Sequence, residues 1–185
     1  MKLKKFNFNS VISTNNTAIN IIRNSKNLFG MVIAEKQKKG RGQYGKKWIS
    51  YKGNLFVSIF FNIDRINLSL TKITRLNCLL TKKLLSFYYK KNIAIKPPND
   101  LMIDNKKICG ILQEKVIKDD KIFLIVGIGI NLIKNPVINK YPTTNLYEVT
   151  RKKIDKKNVI KRLKSLYENN ISKLYKNNQI NLSNI

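Results

Sequence analysis

Nine consecutive apolar residues, Ile122 to Ile130, form the longest such run in the chain. Nine residues are too few to cross a bilayer, so the run is not a membrane span. It is also too apolar for a strand with one wet face. The run therefore demands a strand covered on both sides, in the middle of a layered domain. A length of 185 residues suits one domain better than two, and a 43% hydrophobic share supplies its core. A wholly disordered chain is excluded on the same ground. The first segment, MKLKKFNFNS, is charged with no apolar stretch behind it and does not read as a secretory signal.

The neighbouring segments fill in the layers. Asn15 to Lys26 places Ile19 and Ile22 at helical spacing behind Ser13-Thr14-Asn15, residue types suited to a helix N-cap. Leu28 to Ala34 and Asn54 to Phe61 predict buried strands, with a glycine-punctuated basic loop, Lys36 to Lys47, between them. Leu68 to Lys90 carries apolar residues at three-to-four spacing and predicts the long helix. A short strand, Ile93 to Lys96, is stopped by Pro97-Pro98. Leu101 to Ile103 and Ile108 to Ile117 predict a hairpin turning at Asn105-Lys106-Lys107, followed by the strand Lys121 to Asn131. Asp155 to Asn177 predicts an amphipathic helix with Val159, Leu163, Leu166 and Ile171 inward. This is an α+β pattern: a mixed β-sheet with flanking helices.

The charge is less informative than its size. Lys and Arg total 37 against 10 acids, a net +27. The basic residues divide 19 to 18 between residues 1–92 and 93–185, so they are spread rather than gathered. Lys, Ile and Asn together make up 83 of 185 residues, which points to AT-rich codon bias. Weak, salt-sensitive adhesion to polyanions follows either way. Two cysteines, Cys78 and Cys109, and no histidine exclude a disulfide framework, a zinc finger and any histidine base. A reducing cytoplasm is the expected compartment.

Four clusters could carry chemistry. In Gly40 to Trp48 (GRGQYGKKW), three glycines let the backbone approach a ligand, and Arg41, Lys46 and Lys47 stand ready for an anion. The segment is neither a P-loop nor a dinucleotide fingerprint, and it equally fits a basic surface loop. Lys96-Pro97-Pro98-Asn99-Asp100 fixes a lysine and an Asn-Asp pair in rigid relation, or is an ordinary turn. Gly127-Ile128-Gly129-Ile130-Asn131 marks close backbone approach, or only relieves packing. Ser13-Thr14-Asn15 offers three small polar side chains, or only a helix cap.

Taken together and in this order, the clusters resemble the motifs of the biotin–protein ligases, also called biotin–[acetyl-CoA-carboxylase] ligases. That family has an STN-type triplet, a GRGR-type loop ending in a basic-Trp pair, and a KWPND motif. A Lys-Ile/Leu-x-Gly-Ile-Leu segment and a GxGxN strand end follow. The corresponding residues are Ser13 to Asn15, Gln37, Gly40 to Trp48, Lys96 to Asp100, Lys107 to Leu112 and Gly127 to Asn131. Pro142 to Leu146 resembles a further segment of the family. The resemblance implies a class II aminoacyl-tRNA synthetase-like fold, the biotin–lipoate ligase catalytic domain. It implies attack of the biotin carboxylate on ATP, with Mg²⁺, giving biotinyl-5′-AMP. A lysine of a biotin carboxyl carrier protein then takes the biotinyl group.

By the same resemblance, Ser13, Thr14, Asn15 and Gln37 hold biotin, while Arg41, Gly42 and Gln43 close over it and the acyl phosphate. Lys96 opposes developing charge, making Lys96 and Arg41 the catalytic candidates. Lys46 assists at the phosphates and Asn131 stands near the nucleotide. No residue is expected to ligate a metal. Two positions depart from the pattern: Gln43 replaces the second Arg and Pro97 replaces Trp. Residues 1–185 are expected to form one catalytic domain, with no N-terminal winged-helix domain and no C-terminal SH3-like domain. Hence no specific DNA binding and no membrane association are expected, while a homodimer is open. The alternatives are a degenerate biotin-binding protein and a lipoate-type ligase of the same superfamily. The lipoate-type relatives carry a histidine that this chain lacks.

Overall fold

The apolar run becomes most of strand β7 (Lys121–Ile130), the central strand of a seven-stranded sheet. The computed structural model describes residues 2–177, so Met1 and residues 178–185 of the expected domain lie outside it. The other strands are β1 (Lys4–Val11), β2 (Phe29–Gln37), β3 (Leu55–Asn62), β4 (Ala94–Lys96), β5 (Asp100–Ile103) and β6 (Lys106–Lys118). They lie in the order β1-β2-β3-β7-β6-β5-β4, all antiparallel except the β1–β2 pair. The helices are α1 (Thr14–Asn24), α2 (Leu70–Ser86), α3 (Leu146–Thr150) and α4 (Lys156–Asn177).

Alternate residues of β7 serve opposite layers, as strand geometry requires. Leu124, Val126, Ile128 and Ile130 pack with α2 and α4, joined there by Leu80, Leu84, Val159, Leu163 and Tyr167. Phe123 and Ile125 pack with Ala18 and Ile22 of α1. The helix α4 buries Val159, Leu163 and Ile171 as its spacing predicts, while Leu166 is half-buried at the edge of that core. A polar chain also fastens α4: Tyr167 Oη donates to Asn77 Oδ1 at 3.0 Å, and Asn77 Nδ2 donates to Gln113 Oε1 at 2.6 Å.

Three features differ from expectation. The β5–β6 hairpin turns at Asp104-Asn105, not at Asn105-Lys106-Lys107, because both turn residues need positive φ (48° and 59°), which Asp and Asn tolerate better than Lys. The next hairpin repeats the device at Asp119-Asp120 (φ 49° and 60°). Strand β1 goes unannounced because it is a largely exposed, Lys/Asn-rich edge strand, seated through Phe6 against Phe60. Helix α3 has only five residues, too few for periodicity, and is capped by Asn145, whose Oδ1 accepts from Glu148 N at 2.8 Å.

Candidate functional site

On the α1 side of the sheet, the inward row of β7 reads Phe123, Ile125, Gly127, Gly129. Packing there falls from two large side chains to none. Gly110 of β6 lies beside Gly129 in register and extends the low ground. Neighbours have closed onto it. A Cβ on Gly127 would stand 2.3 Å from Asn15 Oδ1, and one on Gly129 would stand 2.5 Å from the Trp48 indole. These glycines are therefore set by close approach, the reading on which the strand sequence was ambiguous. They floor a cavity of about 280 Å³.

The inner wall is the start of α1. Ser13 occupies the N-cap position with extended backbone but makes no side-chain cap bond, so the triplet is not spent on capping. Thr14 instead donates from N and Oγ1 to Gln37 Oε1 at 2.9 and 3.1 Å. Gln37 Nε2 donates on to Ser50 Oγ at 3.2 Å. Asn15 Oδ1 accepts from Ser58 Oγ at 2.5 Å, and its Nδ2 donates to Glu114 Oε2 at 2.7 Å. Each amide is thereby oriented before a ligand arrives.

Residues 38–54 cross the mouth. Trp48 N donates to Gly40 O at 2.9 Å and Gly42 N to Lys46 O at 2.7 Å, folding the segment back on itself. Its tip, Gln43–Gly45, is a single tight turn in which Tyr44 and Gly45 take positive φ (53° and 71°). Arg41 Nη2 reaches Glu114 Oε2 at 2.6 Å. Trp48 Nε1 is buried without a partner, packed down over Gly129.

The outer wall runs from the end of β4 into β6. Asn99 Nδ2 donates to Ile111 O at 2.6 Å, and Ile111 N donates back to Asn99 O at 3.0 Å, so Asn99 ties the Pro-Pro segment to β6. Asp100 Oδ1 lies 2.8 Å from Lys107 Nζ. That ammonium also stands 5.7 Å from the Trp48 ring centroid and 5.3 Å from that of Tyr141. Behind this wall, burial pushes the Cys78 thiol up to about 11, and Asp100 adds to the shift. Burial raises Cys109 as well, so both cysteines behave as packed thiols.

The family model for the biotin/lipoate A/B protein ligase family matches residues 8–131, which include both walls, the floor and the crossing segment. The chain belongs to that family. It is 30% identical to the bifunctional ligase/repressor BirA of Bacillus subtilis over 164 residues, 84% of this chain and 50% of that protein. It thus spans about half the length of the curated relative. Among solved structures, biotin protein ligase from Aquifex aeolicus in complex with biotin and ATP superposes with a TM-score of 0.79. That match has 29% identity and covers 94% of this chain and 72% of the other. P. falciparum LipL1 in complex with lipoate shares the fold, with a TM-score of 0.61, 14% identity and coverage of 90% and 63%.

The motif residues of this biotin/lipoate ligase family member come from distant parts of the chain. The structure brings nine of the ten named from the sequence to one cavity. Ser13, Thr14, Asn15 and Gln37 line its inner end; Arg41, Gly42, Gln43 and Lys46 line it from the crossing segment; Lys96 lines it from the end of β4. Asn131 does not line it. That side chain is buried one step past the floor, donating from Nδ2 to Thr144 O at 3.0 Å. Sequence reasoning gave no role to Lys107, Glu114, Ser58, Trp48 or Tyr141. Lys107 heads the Lys-Ile-Cys-Gly-Ile-Leu motif and Trp48 closes the glycine-rich one, so their signals were present. Glu114 and Ser58 have no local signal, since their partners are 73 and 43 residues away.

Proposed function

We propose that this chain carries the catalytic centre of an ATP-dependent biotin–protein ligase. The observation that carries the reading is the polarity of the cavity from end to end. The inner wall offers fixed amide and hydroxyl groups on Thr14, Asn15 and Gln37, and the crossing segment and outer wall bring Lys46, Lys47, Lys96 and Lys107. Arg41 reaches between them to the carboxylate that also holds Asn15. Between them lie glycines, Leu112 and the Trp48 indole. Biotin has the same sequence of chemistry: a ureido group, an apolar bicycle and chain, and a carboxylate. The biotin complexes of the A. aeolicus relative support the assignment.

In the first step a biotin carboxylate oxygen attacks the α-phosphorus of ATP, and the bond to the β-phosphate oxygen breaks, releasing pyrophosphate. The five cations that line the cavity oppose the negative charge that accumulates there, Lys96 and Arg41 closest in role to the reacting groups. The segment carrying Gly42 and Gln43 covers the acyl phosphate, and Lys46 assists at the phosphates. Asn131 stays in the proposal as a residue near the nucleotide that acts from behind the floor, its amide bonded to Thr144 O and outside the cavity lining. In the second step the neutral amine of a carrier lysine attacks the acyl carbon and AMP leaves. Positioning accounts for most of the acceleration, because the cavity holds no histidine and its Asp100 is already paired.

Mg²⁺ would accompany ATP and neutralise part of the charge on its phosphates. Among the described residues no group of three or more His, Cys, Asp or Glu is placed to hold a metal ion, and Asp100 is the one carboxylate lining the cavity. The proposal extends to a biotin carboxyl carrier protein as acceptor, to residues 1–185 acting as a single catalytic unit, and to a cytoplasmic setting in keeping with two free thiols. A homodimer has support in β6: from Leu112 to Lys118 it pairs with β7 on one side only, leaving an edge to which a strand could add. No helix among the described residues is long and apolar enough to cross a membrane. The spread-out positive charge is given no DNA-binding role.

Pyrophosphate release tests the first half-reaction. With ATP it should depend on biotin and remain at background with lipoate. Release with lipoate alone would move the chain to the lipoate-type reading. No release with either would leave a biotin-binding protein.

A further inference from the structure

The inner wall and the crossing segment meet at one carboxylate oxygen. Glu114 stands on the site face of β6, opposite Ile125 of β7. Its Oε2 accepts from Asn15 Nδ2 at 2.7 Å and from Arg41 Nη2 at 2.6 Å. Asn15 is fixed from its other end by Ser58, so this oxygen links a rigid wall to the residue at the mouth. The bonds within Gly40–Trp48 shape that segment without tying its tip to the sheet. Among the described residues, Arg41–Glu114 is the one ion pair that residues 38–54 make across the mouth. Engaging Nη2 alone leaves Nε and Nη1 of the guanidinium for a substrate anion.

We propose that Glu114 is a positioning residue that holds Arg41 over the mouth of the cavity, aligned with Asn15, before substrate arrives. It touches no reacting atom; it sets where the cation waits. Its removal therefore acts mainly on the substrate concentration needed, because a bound substrate anion re-seats the guanidinium that Glu114 no longer holds. Both partners are partly exposed (side chains 39% and 24%), so the effect is moderate and screened by salt.

The kinetic part of the test rests on the ligase reading; a second part does not. In Glu114→Ala, the KM for biotin in pyrophosphate release should rise about three- to tenfold with kcat little changed. Glu114→Gln, which keeps an acceptor of the same shape without the charge, should fall between. Adding Glu114→Ala to Arg41→Ala should raise KM no further. Independently of any substrate, brief trypsin treatment read by mass spectrometry should cut after Arg41, Lys46 and Lys47 several-fold faster in Glu114→Ala. Cutting after Lys83 of α2 should keep its wild-type rate. Unchanged cleavage at the mouth, or a lowered KM, would overturn the proposal. So would faster cleavage at α2 in step with a fall in Tm, which would make Glu114 a general stabiliser. Wild-type protein that releases no pyrophosphate would overturn the ligase reading alone, and the cleavage rates would still decide the role of Glu114.

Discussion

The two faces of the sheet are built from the same strands and do opposite work. On the α2/α4 face, β3 and β7 present Leu55, Val57, Ile59, Phe61, Leu124, Val126, Ile128 and Ile130, all buried, and two helices seal them. On the α1 face the corresponding rows begin with Phe60 and Ile125, under α1, and drop to Ser58 and Gly127; beyond these β7 ends in Gly129, while β3 returns to a buried Phe56. Past the start of α1 the covering layer is a loop held by polar contacts. One face spends every position on packing, while on the other the glycines of β7 and β6 stop packing midway and leave a cavity. Substitutions on the first should therefore move stability and leave function; on the second they should do the reverse.

The largest effect is expected on the sealed face. Leu163→Ala removes a fully buried side chain from α4 and should cost about 2–5 kcal/mol, lowering Tm by several degrees. Biotin affinity in the protein that remains folded should be unchanged, as titration below the transition would show. Lys96→Ala comes next and should behave in the opposite way. Lys96 is exposed, so Tm should hold while pyrophosphate release slows about a hundredfold. An equal fall in both would make Lys96 structural. Gly127→Ala is smaller and tests the floor. Its methyl must displace the Asn15 amide, so biotin binding should weaken about tenfold by titration, with the loss traced to the Asn15–Ser58 bond. The smallest effect is expected at the thiols. With Cys78 raised to about 11 and Cys109 raised well above its ordinary value, the thiolate fraction at pH 8 is very low in the folded protein. A thiol reagent should find almost nothing before unfolding and two groups after it.

The same division explains what could be seen in the sequence. The sealed face follows from local patterning: the run Ile122–Ile130 and the spacing in α2 and α4 each announce their burial. Strand β1 escapes because at a sheet edge its Lys and Asn residues face water, and Asp104-Asn105 lost the turn to the lysines after it. On the open face, motif residues stood out because glycine-rich and Lys-Pro segments are unusual in themselves. What joins them did not. The contacts of Glu114 with Arg41 and Asn15, and of Lys107 with Asp100, Trp48 and Tyr141, are made by folding and leave no trace in spacing. Asn131 was placed by its motif, and the structure puts it behind the floor.

The most direct test of the account is transfer itself. The chain, incubated with biotin, ATP, Mg²⁺ and a biotin carboxyl carrier domain, should add one biotinyl group to one carrier lysine, read as a single mass increment on one peptide. Loss of that increment in Lys96→Ala, with the fold intact, would complete the case. A carrier that stays unmodified while the wild-type protein is folded and binds biotin would contradict the account and leave the open face of the sheet as a binding site only.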